Sequence, residues 1–276
     1  MKTQEERLNY LIEVLKNETI QYKNLEIPES IEDKKVMLRS LMNVRQPKET
    51  SGEILKVQDE YLTERNKEKG IVNLKDIKTI KETINSKHPY SQKISVWQGD
   101  ITKLSCDAIV NAANSQMLGC FVPMHTCIDN CIHTFAGVQL RNECNEIMNK
   151  FKNKYGDDYE QPTAIPILTD GYNLPAKKVI HVAGPIVIEP LEQQDIEDLQ
   201  NCYKNILNMC LKNNLKSVAF CCISTGEFSF PNKKAAEIAV ETVTDWLNKN
   251  ENKMDRIIFN VFKDKDKKYY EEILAN

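Results

Sequence analysis

Apolar positions in the first third of the chain recur at helical spacing. Leu8, Leu11, Ile12 and Leu15 fall on one face of a helix. Ser30-Ile31-Glu32-Asp33 and Thr50-Ser51-Gly52-Glu53 each place an oxygen side chain three residues before an acid, the form of a helix start. After the first come Met37, Leu38, Leu41 and Met42, and after the second Ile54, Val57, Tyr61 and Leu62. Three amphipathic helices bury too little apolar surface for a large core of their own, so they are expected to pack on the remainder as a cap or lid.

Beyond residue 93 the period changes. Strand-like runs occupy 94–97, 108–110, 164–168, 178–183, 217–223 and 256–262. Helical periodicity separates several of them: Ile132, Phe135, Ala136, Leu140, Cys144 and Ile147; then Ile196, Leu199, Tyr203, Ile206 and Cys210; then Ala235, Ala239, Val243, Trp246 and Leu247. Apolar strands alternating with helices predict an α/β fold with a sheet covered on both faces. The turn-prone Asn85-Ser86-Lys87-His88-Pro89 suggests a boundary between an N-terminal helical extension, 1–90, and a second unit, 91–276.

Composition supports that boundary. Residues 1–90 hold only two glycines, Gly52 and Gly70, and all nine cysteines lie between Cys106 and Cys222. With 37 Lys+Arg against 40 Asp+Glu the net charge is −3, which speaks against non-specific nucleic-acid binding. The longest uncharged stretch, 108–128, contains three asparagines or glutamines and Pro123, too polar for a bilayer core. The first seven residues lack the apolar core of a secretory signal, so a cytoplasmic location with reduced thiols is expected.

Three segments carry chemistry. Cys120, His125 and Cys127 are spaced C-x4-H-x-C in a loop ahead of a helix expected to begin near Asp129. Thiolate and imidazole are preferred zinc ligands, and three protein ligands leave one coordination position free, as in catalytic sites. The same segment also reads as two core cysteines beside an unrelated histidine. Cys131 and His133 are spare donors that would lie inside the helix. Next, Val110 ends an apolar run, with Asn111 and Asn114 following at the carboxyl edge where α/β sheets bind ligands. These asparagines suit ribose hydroxyls or simply close a turn. Finally, Ser224-Thr225-Gly226-Glu227-Phe228-Ser229-Phe230 is a turn able to offer backbone N–H groups to a diphosphate and an aromatic face, from Phe228 or Phe230, to a sugar.

Taken with Trp97-Gln98-Gly99-Asp100-Ile101-Thr102 and Ile132-His133-Thr134-Phe135-Ala136-Gly137, these segments resemble the macrodomain family, which binds ADP-ribose. The resemblance spans about residues 94–264. Where most macrodomains carry a glycine-rich phosphate loop, this chain has Cys120, His125 and Cys127, which resembles the zinc-dependent microbial branch. Leu41 to Arg45, Gln58-Asp59 and Gly70-Ile71-Val72 resemble that branch's N-terminal extension. Glu227 and Ser229 depart from the apolar residue and glycine that ordinary macrodomains often have there.

The resemblance implies a three-layer α/β/α sandwich with a central mixed sheet. It also implies one Zn2+ per chain on Cys120, His125 and Cys127, and removal of mono-ADP-ribose from protein side chains, the linkage being to an acidic residue. By the same match Asp100 accepts from the adenine amino group with the Ile101 backbone nearby, and Asn114 holds the distal ribose at the reacting centre. Ser224, Thr225, Gly226, Glu227 and Phe228 surround the diphosphate. Phe262 either stacks on adenine or ends its strand in the core; Asp129 either acts as base or caps the helix. Relatives in this branch accompany a sirtuin-like transferase and a lipoyl-carrier protein, which makes such a carrier the implied partner. Two rival functions stay open: a reader that binds ADP-ribosylated protein without cleaving it, and a thiol redox protein using Cys221-Cys222.

Overall fold

The computed structural model describes residues 3–275; Met1 and Lys2, part of the start read as non-secretory, lie outside them. The predicted N-terminal helices are α1 (Gln4–Asn17), α2 (Ile31–Val44) and α3 (Gly52–Lys69). Their starts are capped by Thr3, Ser30 and Ser51, whose hydroxyls accept from the backbone N–H three residues on. Leu8, Leu11, Ile12, Leu15, Leu38, Leu41, Met42, Val57, Tyr61 and Leu62 close a small core of their own, completed by Val138 from the main body.

The chain then forms β1 (Val72–Asn73), α4 (Ile80–Ile84), β2 (Ile94–Gln98), β3 (Leu104–Ser105) and β4 (Ala108–Ala113), followed by α5 (Ile128–Ala136) and α6 (Val138–Tyr155). It continues through β5 (Ile167–Asp170), β6 (Lys178–Ala183), α7 (Gln193–Lys212), β7 (Ser217–Phe220), α8 (Asn232–Lys249), β8 (Arg256–Val261) and α9 (Asp264–Leu274). The main sheet has the order β2-β8-β7-β4-β6-β5; its neighbours run parallel except β5, which is antiparallel to β6. A separate parallel pair joins β1 to β3. Helices α7, α8 and α9 pack side by side on one face of the sheet; α5 and α6 cover the other, with α2 and α3 stacked on α5. This is the expected three-layer sandwich. Among the described residues no helix is long and apolar enough to cross a membrane.

Three local readings need correction. The boundary read near residue 90 falls earlier in the packing, because Ile77 and Ile80 already belong to the core of the sheet. The periodicity from Ile132 to Ile147 is broken at Gly137, whose φ of +102° suits a residue without a side chain. A Cβ there would also lie 2.7 Å from Gln58 Nε2. Last, β4 does not end at Val110 but runs to Ala113, so Asn111 sits inside the sheet, fully buried.

Candidate metal loop and nucleotide cleft

Buried Asn111 is tolerated because its amide is used. Its Nδ2 donates to Asp129 Oδ1 at 2.7 Å and lies 3.0 Å from His181 Nδ1. That contact makes Nδ1 of His181 the acceptor and leaves Nε2–H to donate to Thr169 Oγ1 at 2.9 Å. Burial holds His181 down to about 3 and His133 well below its ordinary value. Unfolded histidines take up protons near pH 6.5. Below that pH the unfolded chain therefore binds protons that the folded chain refuses, and stability falls as pH drops from 6.5 towards 3. Asp129, raised to about 6 by burial, works the other way between about pH 6 and 4, since the folded chain keeps a proton that the unfolded one releases. With the histidines outweighing the one carboxyl, urea-unfolding free energies should fall as the pH drops from 6 to 4. A flat profile would mean that the two rings are solvated.

From the end of β4 the chain turns through Asn114, whose Oδ1 accepts from Gln116 N at 3.0 Å, and enters the loop carrying Cys120, His125 and Cys127. All three are half-buried, their ligand atoms lie within 4.8 Å of one another, and Cys120 Sγ is 3.6 Å from His125 Nδ1. Among the described residues no other His, Cys, Asp or Glu joins this group. Two sulfurs and one imidazole on a short loop fit zinc. Burial pushes the Cys127 thiol up to about 12, so a cation at this place is what would make it a thiolate near neutrality. His133, Cys144 and His181 form a second set within the same reach, but it is wholly buried and both nitrogens of His181 are already engaged.

Asp129 is not the helix cap. Cys127 holds that position, its sulfur accepting from Asn130 N at 3.4 Å. The Asp129 carboxyl instead turns inward, onto Asn111 and to within 3.6 Å of His133 Nε2. Gly119 makes this packing possible. Its φ is +83°, and a Cβ would lie 2.8 Å from the His133 ring.

The other expected ligand contacts line the same carboxyl edge. Asp100 follows β2; its Oδ1 accepts from Thr102 N at 2.9 Å and from Thr102 Oγ1 at 2.6 Å, and Oδ2 pairs with Lys69 Nζ at 2.9 Å. Burial alone would raise this carboxyl, but Lys69 and Thr102 outweigh it and keep it below its ordinary value, hence ionised at neutral pH. Ile101 beside it is buried. After β7, Ser224 is buried with a left-handed φ of +62°, Thr225 is half-buried, and Gly226 and Glu227 are exposed. The Phe228 ring is half-buried and its carbonyl accepts from Val187 N at 3.0 Å, which ties this turn to the loop after β6. Phe230 is buried and presents no face to a ligand. Phe262 is 77% exposed, so it is not a core residue. Cys221 and Cys222 are free thiols, both raised by burial, which removes the basis for a redox pair.

Several residues that shape the site went unread. Lys69 at the end of α3 pairs with Asp100 and sits 3.2 Å from the centre of the Phe135 ring. Arg141 in α6 reaches the carbonyls of Leu118 and Cys120 in the loop, and Arg39 and Asn43 in α2 also bond to it. Arg39 and Asn43 stand four apart, on one helical stripe, which was the available signal.

The Macro domain family matches residues 110–239. A Treponema medium protein named "Protein-ADP-ribose hydrolase" is 48% identical over 99% of this chain and 100% of its own length. A Staphylococcus aureus protein of the same name is 44% identical over 99% of this chain and 97% of its own. Among solved structures, a Trypanosoma brucei macrodomain in complex with ADP-ribose is 26% identical, covers 85% of this chain and 94% of that one, and superposes with a TM-score of 0.63. With full-length likeness of this order and the same sandwich, the chain belongs to the macrodomain family, among relatives named protein-ADP-ribose hydrolases.

Proposed function

We propose that this chain hydrolyses the bond between ADP-ribose and a modified protein side chain, with one zinc ion held by Cys120, His125 and Cys127. The observation that carries the reading is the convergence of those three ligand atoms within 4.8 Å, on a loop leaving β4, the strand next to the one that feeds the 224–228 turn. Full-length relatives that bear the hydrolase name support it. The acidic linkage and a lipoyl-carrier substrate rest on the resemblance alone.

In this reading the adenine amino group donates to Asp100, the 224–228 backbone surrounds the diphosphate, and Phe228 and Asn114 flank the distal ribose. Phe262, exposed at the end of β8, stacks on adenine. Bound zinc supplies Lewis acidity and a template for a ribose hydroxyl or water. The water oxygen bonds to C1 of the ribose, the C1–O bond to the protein side chain breaks, and the side chain leaves as its carboxylate. The water proton passes to solvent, because the buried Asp129 carboxyl is already engaged by Asn111.

Asp100→Ala removes a charged acceptor and should weaken ADP-ribose binding by roughly tenfold or more, read by calorimetric titration. The central test incubates the chain with a protein mono-ADP-ribosylated on acidic residues and measures released ADP-ribose and zinc content in the same sample. Release that scales with zinc supports the reading. Binding without release makes the chain a reader, and release undiminished by chelation removes the metal from the chemistry.

A further inference from the structure

The N-terminal helices touch the metal loop from behind, and they do so through its main chain. Asn43 is 1% exposed; its Oδ1 accepts from Met124 N at 3.0 Å and its Nδ2 donates to Thr134 Oγ1 at 2.9 Å. One turn earlier on α2, Arg39 Nη2 donates to His125 O at 2.8 Å and to Asn130 Oδ1 at 2.9 Å. Asn130 in turn donates to Val122 O at 2.9 Å and takes its own main-chain bond to Cys127 Sγ. The N–H before His125 and the C=O of His125 itself are thus both held from α2.

The segment needs such holding. Met124 has a φ of +59°, a left-handed conformation that residues with side chains seldom keep unless their surroundings impose it. It lies between two ligands, where a change of backbone well would carry the His125 ring away from the two sulfurs. A free loop must be ordered each time a ligand binds; one already pinned avoids that cost, which is the general advantage of preorganisation.

We propose that Arg39 and Asn43 are positioning residues for the metal loop, so that the N-terminal helices set how long zinc resides there. The proposal rests on reading Cys120, His125 and Cys127 as zinc ligands. Neither residue lends an atom to the ligand set; both act through the backbone that presents His125. Their loss therefore acts as loss of a metal site's outer partners does, on the order of 10–100-fold.

The experiment uses the full chain loaded with zinc. Parent, Arg39→Met, Arg39→Lys and Asn43→Ala are assayed for zinc content, for the rate of zinc release to excess chelator, and for the visible spectrum after cobalt substitution. ADP-ribose affinity gauges whether the cleft is intact. Arg39→Met and Asn43→Ala should release zinc 10–100-fold faster and alter the cobalt spectrum, with ADP-ribose affinity within about twofold of the parent. Arg39→Lys, which keeps a donor for His125 O, should stay within about threefold of the parent rate. Should buried Asn43 prove indispensable for folding, the half-buried Arg39 pair carries the test. Unchanged release in the folded variants overturns the proposal and leaves the zinc reading standing. A parent chain that holds no zinc overturns both.

Discussion

Replacing His125 with alanine should lower turnover on an ADP-ribosylated protein by about 10²-fold or more, the scale of losing a positioned group at a reacting centre. Affinity for free ADP-ribose should change little. The asymmetry follows from where the two tasks are placed. Recognition of the nucleotide is assigned to Asp100 after β2 and to the 224–228 turn after β7, whereas His125 belongs to the loop after β4. On the proposed zinc reading, removing the imidazole leaves two thiols, too few donors to hold an ion in a defined orientation. Single-turnover release of ADP-ribose, beside calorimetric titration of the product, separates the effects. Parallel loss of binding and turnover would mean that the loop shapes the pocket rather than the chemistry.

Arg141→Met should cost at least about 3 kcal/mol of unfolding free energy, because it strands main-chain oxygens on two elements at once. The guanidinium donates to Leu118 O at 2.8 Å in the loop after β4, and to Met42 O at 3.1 Å, Asn43 O at 2.9 Å and Arg45 O at 2.6 Å at the end of α2. Burial lowers it only to about 10, so it stays charged at neutral pH and each of these bonds is charge-assisted. Methionine keeps the packing of the stem and removes the donors, together with the guanidinium that lies 4.2 Å over the Phe121 ring. Urea unfolding of the two proteins at pH 7 checks the difference. A loss under about 1 kcal/mol would show that water replaces the guanidinium.

What could be read beforehand was whatever the chain states locally. The six strands of the main sheet and the three N-terminal helices announce themselves by period; β6 was placed at both ends, whereas β5 begins at Ile167, three residues later than its run. The Cys120, His125 and Cys127 cluster was legible because all three stand within eight consecutive residues. Asn111 misled because a polar residue at the end of an apolar run resembles a strand terminus. What keeps it in the sheet is a pair of partners, Asp129 and His181, 18 and 70 residues away. Asp129 misled for the same reason: a carboxylate at a helix start reads as a cap unless one knows that a cysteine has taken the place. Arg39, Asn43 and Lys69 make their decisive bonds to residues 86, 81 and 31 positions distant, and the stripe that Arg39 and Asn43 share does not say what they reach.

The order of the strands has a consequence for biosynthesis. In the main sheet β2, the first strand made, pairs only with β8, the last. Asn260 of β8 also donates to the carbonyls of Trp97 and Gly99, just ahead of Asp100. While β4, β5 and β6 can pair as soon as they are made, the edge that carries Asp100 has to wait for β8, since closing so long a loop rewards the chain only when both ends are present. A nascent chain stopped before residue 256 would hold the 120–127 loop but lack the strand that fixes the carbonyls of Trp97 and Gly99.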